Sequence, residues 1–246
     1  MSICQKFERL VLTLCLIFEI HKILTNVRET ALDVFFSPLT CSLASRITIY
    51  EANAERDVTF HHVDLRTKRL TADPIDYLTI NPTGQVPALR LDNGTVITEN
   101  PAILSYLADR YPNANLGSHS DDERYELLRW LSFVGSEVHK QIFSPLFNPM
   151  ANDGAKDFAR QASAKAFATV ERHLENRDTL IDHFSIADIY LGVVLNWAHF
   201  VEIDLQNYPA IQRYLARLNE RPAFVRATGE ELQMVEDVKS AGATDL

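Results

Sequence analysis

The chain has 246 residues, 46% of them hydrophobic and 23% charged, an ordinary soluble composition with room for one large domain or two smaller ones. With 24 Lys+Arg against 33 Asp+Glu the formal net charge is −9, which argues against nucleic acid or an anionic membrane as the main partner. The cysteines Cys4, Cys15 and Cys41 form no Cys-x-x-Cys pair, so neither a disulfide framework nor a thiolate metal site is expected, and a reducing, cytoplasmic setting fits.

Residues 1–31 stand apart. The apolar run from Leu10 to Phe18 follows Lys6 and Arg9, but Glu19, His21 and Lys22 come directly after it. It has no small-x-small cleavage site and is too short to span a bilayer. It reads as an N-terminal extension without an assigned role, either packed on the body or adding nothing to the fold. From residue 32 the pattern becomes regular. A strand over Asp33–Phe36, a helix over about Cys41–Ala52 and a strand over Val58–Val63 form a strand–helix–strand opening, normally a right-handed parallel crossover. A polar stretch with Lys68 and Arg69 and a short helix near Pro74–Leu78 follow. Strands Ala88–Leu91 and Val96–Thr98 flank Asp92-Asn93-Gly94, a hairpin signal, so the sheet is mixed.

Asn100 and Pro101 then open a helix that ends near Tyr111-Pro112. Beyond the polar linker 113–122 the chain reads as almost wholly helical, beginning with a long helix over about Asp121–Phe143. Expected divisions are an α/β domain over 32–112, an all-helical domain over 123–226 and a tail over 227–246. Phe184-Ser185-Ile186-Ala187-Asp188 reads as a capping box with a hydrophobic staple from Phe184 to Ile189, opening an apolar helix over Ile189–Phe200. Loss of Asp188 is expected to cost roughly 1 kcal/mol or more.

Four places have chemical potential. Cys41 lies where a strand gives way to a helix. It is either a thiol drawn toward thiolate by the helix N-terminus or a small buried apolar residue. Pro87 marks a strand entrance, as a plain turn or a cis bond. An extended Val86 before it offers a free N–H and C=O to a peptide-like ligand. Glu99 and Asn100 at a helix start can hold an amino-acid head group or simply cap the helix. His139, beside Lys140, falls on one helical stripe with Ser132 and Ser136, which either lines a cleft or faces solvent.

Ser37-Pro38-x-x-Cys41-Ser42, Val63-Asp64-Leu65 with Lys68, Asn81-Pro82-x-Gly84-Gln85-Val86-Pro87-Ala88-Leu89, Glu99-x-Pro101-Ala102-Ile103, Ser136-Glu137-Val138-His139-Lys140 and Phe184 to Asp188 occur in fixed order. Together, over about Leu32 to Arg226, they resemble a bacterial glutathione transferase and are most similar to the beta class. The resemblance implies the glutathione transferase fold: an α/β thioredoxin-like N-terminal domain that binds glutathione and an all-α C-terminal domain that supplies most of the second-substrate pocket. It also implies a homodimer. By the same match Val86 pairs with the cysteinyl backbone of glutathione and Glu99 and Asn100 hold its γ-glutamyl end. Lys68, Ser132 and the stretch Ser136, Glu137, Val138, His139 and Lys140 complete the site, with Cys41 beside the glutathione sulfur.

The expected function is conjugation of the glutathione thiolate to a hydrophobic electrophile, as in detoxification, with Cys41 and His139 as catalytic residues and glutathione as co-substrate. No metal, nucleic acid or membrane is expected. Three departures from the family pattern stand out: Phe36 where tyrosine is frequent, Asn100 in place of a small residue, and Ser132 in place of a frequent asparagine. Two alternatives stay open: a glutathione-dependent thiol–disulfide oxidoreductase or reductive dehalogenase using Cys41 covalently, and a non-catalytic glutathione- or ligand-binding module.

Overall fold

The computed structural model describes residues 32–201 and 203–240. Cys4, Cys15 and the apolar run from Leu10 to Phe18 lie outside them, as do residues 241–246. Strand β1 (Leu32–Phe36) is buried along its length except at Asp33, as suits a strand covered on both faces. It pairs in parallel with β2 (Val58–Asp64), Leu32 opposite Val58, after a crossover through helix α1 (Leu43–Glu51). The two-residue strand β3 (Arg69–Leu70) pairs antiparallel with β2. On the other side β4 (Ala88–Arg90) runs antiparallel to β1 and is joined by a hairpin to β5 (Val96–Thr98). The sheet order is β3-β2-β1-β4-β5. Gly94 takes a φ of +83° in the hairpin turn, a conformation in which a side chain is strained.

Local chemistry explains most departures from the expected boundaries. Regular helix in α1 starts at Leu43, two residues after Cys41. Strand β4 ends at Arg90, and the hairpin closes one step on, where Leu91 N–H donates to the Thr95 carbonyl. In place of a helix near Pro74–Leu78 there is a single 3-10 turn, Tyr77–Thr79, capped by the Asp76 carboxylate on Leu78 N–H. Strand β3 lies inside the stretch read only as polar.

Helix α2 (Asn100–Arg110) carries Ile103, Leu104 and Leu107 into the core. Helix α3 (Asp121–Phe133), capped by Ser120 Oγ on Glu123 N–H, runs directly into a π-helix over Val134–Phe143. The expected single helix Asp121–Phe143 thus has the right length but two windings. Pro145 follows at once; it lacks an N–H for the Gln141 carbonyl and its ring would strike that carbonyl in α winding. Short α4 (Ser144–Phe147) and long α5 (Asp153–Leu174) come next.

Helix α6 (Ile186–Asn196) begins three residues before the expected Ile189 and gives way to a 3-10 turn at Trp197–Val201. Its capping box forms as read from the sequence: Asp188 accepts from Ser185 N–H at 2.9 Å and from Ser185 Oγ at 2.8 Å. Asp188 also accepts from Leu180 N–H at 2.8 Å and Tyr214 O–H at 3.0 Å. Helix α7 spans Pro209–Asn219. Helix α8 (Pro222–Ser240) continues well past Arg226 and buries Ala227 and Glu231, so residues 227–240 of the expected tail are helical and packed on α1. Val34 and Phe36 of the sheet join α1, α2, α6 and α7 in the main core. A smaller core of Phe35, Val63, Leu70, Tyr77, Val86 and Ala88 lies beside it. Among the described residues no helix is long and apolar enough to cross a membrane.

Candidate active site

The turn before Pro87 is braced from below. Tyr77 O–H and Asn81 Nδ2 both donate to the Gln85 carbonyl, at 2.7 and 2.8 Å, while Asn81 Oδ1 accepts from Thr83. Gly84 has φ +62°, and a Cβ there would stand 3.1 Å from Leu78 and 3.3 Å from the Lys68 stem. Lys68 Nζ donates to the Gly84 carbonyl at 2.9 Å, so this lysine holds the turn from outside the cleft. The Val86–Pro87 peptide is cis. Val86 N–H has no hydrogen-bond acceptor among the described residues.

Cys41 is tied to this turn and to α2. Its thiol donates to the Val86 carbonyl at 3.3 Å, and its own carbonyl accepts from Asn100 Nδ2 at 2.9 Å. Of the two readings of Cys41 the buried one fits: burial pushes the thiol up to about 12, outweighing the nearby Lys140 charge, which pulls the other way. The thiol precedes the first regular helical residue by two positions, and desolvation of a thiolate costs more than that partial dipole returns. Asn100 Oδ1 is buried without a hydrogen-bond partner among the described residues. Glu99, exposed beside it, has φ +70°, an uncommon conformation for a non-glycine residue, while its carbonyl opens α2 by accepting from Ala102 and Ile103.

His139 is buried, and the expectation of a stripe shared with Ser132 and Ser136 fails. In the π-helix the angular step per residue is smaller, so the 3.6-residue spacing no longer aligns these three. Ser132, Ser136 and Glu137 are exposed, with Ser136 Oγ donating to the Ser132 carbonyl, and Val138 is in the core. His139 Nδ1 lies 2.7 Å from the Tyr190 hydroxyl, with the ring edge-on to Tyr190 and Trp197. Burial, with a smaller push from Lys140, lowers its pKa to about 4, so the imidazole is neutral at pH 7. Burial also holds the Tyr190 hydroxyl well above its ordinary value, keeping it protonated.

These groups meet in a narrow polar cleft lined by Cys41, Val86, Glu99, Asn100, His139 and Lys140. Cys41, Val86, His139 and Lys140 also border an adjoining cavity of about 630 Å³, whose other walls include Leu39, Phe147, Trp197 and Phe200. Of the residues expected at the site, Cys41, Val86, Glu99, Asn100, His139 and Lys140 are gathered. Lys68, Ser132, Ser136, Glu137 and Val138 do not line either space. Among the described residues no group of metal donors is assembled at the cleft.

Tyr190 and Trp197 escaped the sequence reading because both sit within a run that looks uniformly apolar. The turn leading to Cys41 is also clamped by residues remote in sequence. Leu39, at φ +60°, has its N–H bound by Glu231 Oε2 at 2.7 Å and its carbonyl by Trp197 Nε1 at 3.1 Å. Glu231 is fully buried and pairs with Arg46 Nε at 2.8 Å; burial raises its pKa to about 7. The Arg46 guanidinium lies 4.3 Å from the Phe36 ring centre and 4.1 Å from that of Phe60.

Comparison with known proteins agrees with this arrangement. The family model for the glutathione S-transferase N-terminal domain matches residues 40–110, and that for the C-terminal domain matches residues 136–222. Glutathione S-transferase GstA of Escherichia coli O157:H7 is 39% identical over 201 residues, 81% of this chain and 98% of that protein. A sphingomonad glutathione S-transferase solved in complex with glutathione superposes with a TM-score of 0.76 at 43% identity, covering 81% of this chain and 98% of its own. A beta class glutathione S-transferase of Sphingomonas chungbukensis gives 0.76 and 42% over the same shares. With likeness of that degree extending over nearly the full length of its relatives, the chain belongs to the glutathione S-transferase family.

Proposed function

We propose that the protein conjugates glutathione, through its thiolate, to hydrophobic electrophiles. The observation that carries this reading is the junction of two spaces at Cys41: a polar cleft ending in unsatisfied hydrogen-bonding groups, and a larger cavity walled by leucine and aromatic side chains. Val86 N–H and Asn100 Oδ1 are the groups that a peptide can satisfy. Glu99 holds the γ-glutamyl ammonium and Lys140 supplies positive charge near the thiol. The electrophile packs against Leu39, Phe147, Trp197 and Phe200.

The thiol that reacts is that of glutathione, with an ordinary pKa near 8.5. His139 and Cys41 act as hydrogen-bond donors to the thiolate, the Cys41 S–H turning to it from the Val86 carbonyl. Cys41 stays protonated at neutral pH because burial holds its pKa at about 12. With the Tyr190 hydroxyl donating to His139 Nδ1, Nε2 of the neutral ring carries the remaining proton and offers it to the sulfur. Holding thiolate and electrophile in contact supplies the rest of the rate enhancement.

Residues 32–112 form the glutathione-binding domain, 113–122 the linker, and the helical residues from 123 to the end of α8 at Ser240 the domain that shapes the second pocket. The protein works as a cytoplasmic homodimer in detoxification. Calorimetry with glutathione and a conjugation assay with chlorodinitrobenzene test the reading, each repeated on Cys41→Ala and His139→Ala. Binding with turnover that falls in both variants supports it. Folded protein that binds no glutathione overturns it, and turnover confined to reduction of a mixed disulfide, lost in Cys41→Ala, replaces it with the thiol–disulfide reading.

A further inference from the structure

We infer that His119, Glu123 and His183 hold one late first-row divalent cation, of the zinc class, where the segment entering α3 meets the loop before α6. The hollow beside this site shares no lining residue with the glutathione cleft or its adjoining cavity, and the assignment does not depend on the function proposed for them. His183 Nε2 lies 2.8 Å from the Gly117 carbonyl. A carbonyl only accepts, so Nε2 bears the proton and Nδ1 is left with a lone pair unless the ring is fully protonated. That Nδ1 is buried, 3.3 Å from Glu123 Oε1, yet out of line for a hydrogen bond with it.

His119 repeats the pattern. Its Nε2 lies 2.7 Å from Asn115 Oδ1, and its Nδ1 is 4.0 Å from Glu123 Oε2. Two imidazole nitrogens therefore face one carboxylate, and the other nitrogen of each ring is held by an oxygen. This is how metal-binding histidines are oriented by their surroundings. The two rings stack at 3.8 Å with 9° between their planes, an arrangement in which two imidazolium charges would repel each other.

The spacing fits a shared ion. Two donors bound tetrahedrally at the usual zinc distances lie about 3.3 Å from each other, and Nδ1 of His183 stands 3.3 Å from Glu123 Oε1. The three donor atoms lie within 4.8 Å of one another. His119 is half-exposed, so a small shift of its ring, with the exposed Asn115 following, would close the remaining gap. Imidazole with carboxylate selects zinc, cobalt or nickel over magnesium or calcium. The neighbouring hollow of about 420 Å³, bordered by Asp122 and Asp182, leaves space for water or a fourth ligand. Ile186 N–H already donates to the Leu116 carbonyl and His183 Nε2 to the Gly117 carbonyl, so a bound ion adds a further fastening between the same two segments.

The test uses the full chain freed of metal with a chelator, then titrated with cobalt(II) and zinc(II) in the absence of glutathione. The expected result is one ion per chain, visible cobalt bands without a near-ultraviolet thiolate band, and a zinc-dependent rise in melting temperature. In His119→Ala, whose side chain is outside the core, affinity falls on the order of tenfold or more and the melting shift disappears; Glu123→Gln behaves likewise. No saturable binding, equal affinity in His119→Ala and His183→Gln, or a thiolate band that vanishes in Cys41→Ala would each overturn the assignment. Glutathione calorimetry on the same samples reports on the cleft separately.

Discussion

Two buried polar clusters in this molecule are built to opposite rules. At the start of α6 the Asp188 carboxylate receives donors from Leu180, Ser185 and Tyr214, all from within the helical region. At the start of α2 the Asn100 side chain spends its amide on the Cys41 carbonyl and leaves Oδ1 without a partner among the described residues, next to an unpaired Val86 N–H and a Glu99 of positive φ. A satisfied buried group contributes to stability, whereas an unsatisfied one holds a free-energy reserve that a ligand can release. The first cluster serves folding and the second, under the proposed function, serves binding.

The sharpest way to break that division is at Glu231, which joins the two kinds of role. Glu231→Ala leaves Arg46 charged, buried and without its main partner, and is expected to cost about 4 kcal/mol in denaturant unfolding. Glu231→Gln keeps the shape and tests the charge. Because burial raises the Glu231 pKa from 4.5 to about 7, the folded protein binds this proton more tightly than the unfolded chain does. Its contribution to stability is full below pH 4.5 and is lost as pH rises through about 7. Unfolding curves across that window should lose the corresponding slope in the glutamine variant.

Asp188→Ala comes next, at about 3 kcal/mol, because several donors are orphaned together. Glutathione affinity should be unchanged in this variant wherever it remains folded. Asn100→Ala is expected to invert the pattern, shifting stability by no more than about 1 kcal/mol while weakening glutathione binding roughly tenfold by calorimetry. The smallest effect belongs to Ser132→Ala, an exposed position outside the cleft, expected to stay within about 0.5 kcal/mol of the parent with unaltered affinity. A large loss of affinity there would move the boundary of the site.

What could be read from the residues alone follows from how local each interaction is. The Ser185–Asp188 box, the Pro87 strand entrance and the Asn93-Gly94 hairpin are short-range chemistry, and each was legible. The π winding of Val134–Phe143 was not, because a change of hydrogen-bond register leaves apolar spacing almost intact; it is what took His139 off the stripe assigned to Ser132 and Ser136. Lys68 was placed in the site by resemblance, whereas it holds the Gly84 carbonyl from outside the cleft, a target that depends on a turn whose shape no spacing reveals. The pairings of His139 with Tyr190 and of Leu39 with Glu231 span 51 and 192 positions. For Cys41 the place before a helix was legible, but the choice between a thiolate-leaning and a buried thiol was not, because packing decides the weight of desolvation against a partial dipole.

The grip of Glu231 on Leu39 also sets a schedule for the nascent protein. A growing chain can make the α/β sheet and the Pro87 turn long before α8 has been synthesised, but the loop bearing Cys41 lacks its anchor until that late helix emerges and docks. Assembly of the pocket therefore waits for synthesis of α8, and a product terminated ahead of that helix would keep the early sheet without a finished corner at Cys41.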